Sequence, residues 1–159
     1  MRNFILIGLS FLVILTGLFF YYFMYGIPIH DIRMWRLERN YAYAQHPHSV
    51  VLTNVTYLGG PATHGSWRCN YVVGEVRSSQ FAKEEILAAY NGRFVTPAFG
   101  TVLVPLKVLF FQDQAWPPYL PWFQWESELK KFSEAPGTPY LVYVAHENVP
   151  FLGDLRCDD

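Results

Sequence analysis

Cysteine is nearly missing from this chain: Cys69 and Cys157 are the only two among 159 residues. Structural zinc normally takes four closely spaced ligands, so a lone pair this far apart does not read as a metal site. An even pair suits one disulfide instead, and a disulfide suits an oxidising compartment. An excess of either charge is missing too. Twelve Lys and Arg against thirteen Asp and Glu leave a net charge of -1. Nucleic-acid binders carry a basic footprint, so no nucleic-acid partner is expected. Also absent are a Walker-type phosphate loop, a dinucleotide glycine pattern, a haem-type Cys-x-x-Cys-His and a zincin His-Glu-x-x-His. The sequence therefore assigns no cofactor, no metal ligand and no catalytic residue, and it leans away from an enzyme.

Charge is also absent from Phe4 to Tyr25, FILIGLSFLVILTGLFFYYFMY. As a helix these 22 residues span roughly 33 Å, against a hydrocarbon core of about 30 Å. The pattern predicts a transmembrane anchor over 4–25, preceded by a flank at 1–3. A cleaved signal peptide has a shorter apolar region and a small-residue ending, which Tyr-Tyr-Phe-Met-Tyr lacks. Tyr21, Tyr22 and Tyr25 fall where an aromatic belt meets the interface, and Arg33 and Arg36 where headgroups would lie. Arg33, Arg36 and Arg39 after the span outnumber Arg2 before it, which favours a cytosolic C-terminal domain. The cysteine pair and the Asn54-Val55-Thr56 acceptor pattern favour the exported side. The expectation is a single-pass membrane protein with an exported C-terminal domain, periplasmic or extracellular.

Residues 26–48 read as a membrane-proximal amphipathic helix or stalk with Ile32, Trp35 and Tyr43 as its apolar residues and Leu37 and Tyr41 nearby, and 49–159 as a compact domain. Val50–Tyr57 and Trp67–Val76 read as strands, and Ser78-Ser79 as the cap of a helix reaching Tyr90. Strict alternation of Val102, Val104, Leu106, Val108 and Phe110 predicts one strand over 101–111, with Pro105 marking an edge. Pro139–Ala145 is the last strand. The fold class is α+β: a transmembrane helix, then a small antiparallel sheet, β-β-α-β-β, with one helix inserted before the last strand and helices on one face.

That inserted helix opens with Trp116-Pro-Pro-Tyr-Leu-Pro-Trp122. Three prolines forbid a regular helix before 121, after which Trp122, Trp125, Leu129 and Phe132 recur at helical spacing. Trp116, Tyr119, Leu120, Trp122 and Trp125 are the candidate partner interface. Glu75 shares a strand face with Tyr71 and Val73, and a buried carboxylate demands a partner. Arg77 and Arg156 are the candidates for that ion pair. The favoured function is a non-catalytic, membrane-anchored accessory or scaffolding subunit. Its partners are other membrane protein subunits and, through 4–25, the lipid bilayer. The alternatives are an anchored domain binding a peptide, glycan or small ligand, and a small enzyme using His64, Glu75 and His146.

Overall fold

A computed structural model describes residues 2–24, 27–59, 69–97, 102–111, 130–148 and 157. Three helices, α1 (Arg2–Met24), α2 (Ile27–Ala42) and α3 (Lys83–Tyr90), accompany six strands: β1 (Val50–Gly59), β2 (Cys69–Ser79), β3 (Phe94–Val95), β4 (Val104–Pro105), β5 (Lys107–Phe110) and β6 (Thr138–Asn148). The main sheet runs β1-β2-β6-β5, antiparallel throughout, and β3 pairs with β4 in a second sheet.

The central strands β2 and β6 are apolar on both faces, as the interior strands of a covered sheet must be. On one face Tyr71, Val73, Tyr140, Val142 and Val144 pack with Leu37 and Tyr41 of α2 and Ile86 and Tyr90 of α3. On the other, Val72, Val76, Leu141 and Tyr143 pack with Val55 and Leu109, with Phe132 against them. The second buried face departs from the one-face covering expected. Gly74 permits the close pairing of β2 and β6: a Cβ there would lie 2.5 Å from the Val142 carbonyl oxygen.

Four elements differ from the sequence expectation. The single strand over 101–111 is two strands in different sheets. Pro105 has no N–H to continue a ladder, so Val104 pairs with Val95 while Lys107–Phe110 joins β6. Between them the Leu106 amide donates to the Arg93 carbonyl at 3.0 Å. Ser78 and Ser79 end β2 rather than cap α3. The helix starts after Ala82, whose amide donates to Glu85 Oε2 at 2.9 Å, half of a capping box.

The third difference lies in α2, where the segment read as a helix or stalk is a helix with a docking face other than the one expected. Its buried residues are His30, Leu37 and Tyr41, with Met34 packed beside them: one stripe at i, i+4, i+7 and i+11. Of the apolar residues read from the sequence, Leu37 and Tyr41 are buried, whereas Ile32, Trp35 and Tyr43 are exposed. The core stripe begins with a histidine, which a hydropathy count scores as polar.

The fourth is the anchor. Among the described residues no helix is long and apolar enough to cross a membrane. The transmembrane part of the fold class is corrected accordingly. The single-pass topology, the bilayer as partner of 4–25 and the membrane-referenced placement of the C-terminal domain lose their premise. Within α1, Ile7, Phe11, Leu12 and Phe19 are exposed. Tyr21 and Tyr22, proposed for the interface, are exposed as well, and Tyr25 lies outside the described residues.

Candidate metal centre and adjoining cleft

The first residue of β2, the first residue of the α2 core stripe and Cys157 meet at one end of the sheet. Cys69 and Cys157 form a disulfide, with Sγ atoms 2.00 Å apart. His30 Nε2 lies 4.0 Å from Cys69 Sγ. One ligand atom from each of the three residues falls within 4.8 Å of the others, and all three residues are buried. His30 itself is 1% exposed. Its Nδ1 is hydrogen-bonded to the Tyr71 hydroxyl, and the two rings are stacked with centroids 5.9 Å apart. Tyr71 thus orients the imidazole so that Nε2 faces the sulfurs, the arrangement that outer hydrogen bonds impose on metal-binding histidines.

This cluster overturns the leaning towards a non-catalytic accessory subunit and away from an enzyme. A buried His/Cys/Cys set is capable of coordinating a metal ion, which is the property of a binding or catalytic centre. The oxidation state decides when. While the sulfurs are joined neither is a thiolate, and the cluster offers a single imidazole. Reduced and deprotonated, it offers S, S and N donors, a set matched to soft or borderline ions such as zinc. A tetrahedral site with metal–sulfur bonds of about 2.3 Å and metal–nitrogen bonds of about 2.0 Å needs sulfurs roughly 3.8 Å apart and sulfur–nitrogen spacings of roughly 3.5 Å. The 4.0 Å between Cys69 Sγ and His30 Nε2 is already close to that spacing.

Sequence reasoning missed His30. The signal that finds it is the spacing 30, 34, 37, 41, which places it on the buried stripe of α2 with Leu37 and Tyr41. His146 pairs in register with Tyr71, ring centroids 6.4 Å apart. Burial first, and then the Arg33 guanidinium, lower its pKa from the usual histidine range. Glu75 instead sits opposite Val142, four residues along β2 from Tyr71, or roughly 13 Å. Glu75 and His146 therefore do not form one acid–base site. His64, the third member of that trio, lies outside the described residues, as do Arg156 and the interface candidates Trp116, Tyr119, Leu120, Trp122 and Trp125. Arg33 is half-buried and Arg36 exposed.

Glu75 belongs to a second polar region. Arg77 Nε donates to Glu75 Oε2 at 2.7 Å, and Arg77 Nη1 donates to Ser49 Oγ at 2.7 Å. Beside them opens a cleft of about 370 Å³, lined by Glu38, Tyr41 and Ala42 of α2, Asn54 and Thr56 of β1, and Val73, Gly74 and Glu75 of β2. The Tyr41 hydroxyl donates to the Val142 carbonyl at 3.0 Å. Burial, aided by the Glu75 carboxylate, raises its pKa far above the usual phenol range, so it remains a neutral donor. Comparison with known proteins finds no matching family model, no similar curated protein and no similar solved structure.

Proposed function

We propose that this chain is a small-ligand-binding domain whose ligand is a soft divalent metal ion. The ion is held by His30, Cys69 and Cys157 when the disulfide is reduced, and is released when an external disulfide takes two electrons from the two thiolates and is itself reduced to its dithiol with two protons from water, re-forming the Cys69–Cys157 bond. The observation that carries the reading is the convergence of the three donors within 4.8 Å in a fully buried site. A dithiol reductant supplies two electrons and two protons, is itself oxidised to its disulfide, and leaves two thiols at Cys69 and Cys157. Binding of M²⁺ then displaces those two protons, so affinity rises with pH. Three protein ligands leave a fourth position open, as in catalytic rather than closed structural zinc sites.

The test is an anaerobic titration of the full chain with Co²⁺, followed by its absorption spectrum. The reduced chain develops thiolate-to-cobalt charge-transfer bands and tetrahedral visible bands, saturating at one ion per chain. The disulfide form and the reduced, alkylated chain develop neither. His30→Ala weakens binding by about 100-fold or more, since even outer-shell changes cost 10- to 100-fold. A reduced chain that takes up cobalt no better than the oxidised chain ends the proposal and leaves the disulfide a structural cross-link.

A further inference from the structure

We propose that the cleft between α2 and the β1 edge binds a small organic cation carrying an ammonium or guanidinium group on a short carbon chain. The cleft exists because α2 lies over β2 and leaves the neighbouring face of the edge strand β1 uncovered. Register places Asn54 opposite Glu75 and Thr56 opposite Val73, so their side chains share the face that looks towards α2. Asn54 and Thr56 are exposed on it, presenting an amide and a hydroxyl as hydrogen-bond acceptors. The walls are already fixed: Tyr41 by its bond to Val142, Glu75 through Arg77 and Ser49.

Charge selects the ligand. Two carboxylates, Glu38 and Glu75, line the cleft, and the ion pair to Arg77 occupies only Oε2 of Glu75. Glu38 is half-buried and, among the described residues, is paired with no cation. The site is thus one negative charge in excess, in a partly enclosed space where charge-assisted hydrogen bonds are strong. Size and the apolar wall select an organic ion over a bare metal ion. A volume of about 370 Å³ lies in the range of small-molecule sites, and Tyr41, Ala42 and Val73 suit a carbon skeleton.

The experiment uses the oxidised full chain, so its outcome is independent of the metal reading. Amide resonances are followed by NMR while 1,4-diaminobutane, its neutral counterpart 1,4-butanediol, and calcium chloride are titrated separately. The diamine shifts the Asn54 and Gly74 amides saturably and the diol does not. Glu38→Gln weakens the diamine about tenfold, and Asn54→Ala weakens it without altering the thermal melt. Equal shifts with diamine and diol overturn the proposal, as does saturation by calcium alone or the absence of any shift at millimolar diamine.

Discussion

At the scale of one residue, His46 bridges two elements, α2 and α3, through its ring. Its Nδ1 meets the Tyr90 hydroxyl at 3.0 Å, and its ring lies 5.3 Å from that of Tyr41 and 5.8 Å from that of Tyr90. Nε2 is buried and, among the described residues, has no hydrogen-bond partner. Burial first, and next the Arg77 guanidinium, lower its pKa from the ordinary value, with Arg93 acting in the same sense and Glu75 opposing it. A folded pKa below the unfolded one means that the unfolded chain binds more protons. The stabilisation is therefore complete above about pH 6.5 and is lost as pH falls from there through the depressed folded value. Urea midpoints should drop between pH 7.5 and pH 5.5. In His46→Phe that drop should shrink, leaving the part due to His146, which is depressed in the same direction. Identical slopes for the two proteins would remove His46 as the cause.

At the scale of the element, α2 decides how the site is built, and its two faces make opposite predictions. Leu37 is 2% exposed in the core, whereas Trp35 is 56% exposed with the Arg39 guanidinium 5.6 Å from its ring centre. Leu37→Ala should cost about 2–5 kcal/mol through lost burial and a residual cavity. Trp35→Ala should cost no more than about 1 kcal/mol, the scale of an exposed cation–π contact. Denaturation of both variants checks this, and a larger cost at Trp35 would mean that the helix is docked by its other face. The same element shows what the sequence made legible. The strands β1, β2 and β6 follow from branched residues and alternation, because those signals are local. The docking face of α2 does not, because His30 reads as polar until a partner for its Nδ1 is known, and Tyr71 is 41 positions away. The break at Pro105 was visible as a missing donor, but alternation cannot say that the halves join different sheets. The cleft was illegible for a similar reason: Glu38, Asn54 and Glu75 come from three elements, and only the β1–β2 register and the seat of α2 assemble them.

At the scale of the whole molecule, the disulfide closes a loop of 88 residues and fastens Cys157 against the start of β2, beside His30. A cross-link of that span removes chain entropy from the unfolded state worth at most about 4–5 kcal/mol. Reduction gives up that constraint and at the same time frees two thiols next to an oriented imidazole, so the fold's long-range clamp and the proposed metal ligands share the same sulfur atoms. A metal that binds only the folded, reduced chain repays part of the loss by mass action, about 2.7 kcal/mol at a hundred times its dissociation constant. Three melts therefore separate a structural bridge from a redox-exchanged clamp. The oxidised chain should melt highest and be indifferent to zinc. The reduced chain should melt lower and recover several degrees with zinc. Cys157→Ser should melt low and recover little, since the serine hydroxyl is a poor substitute for a thiolate ligand. If zinc raised the oxidised chain as much as the reduced one, the ion would be binding elsewhere; if it raised neither, the two sulfurs would serve the fold alone.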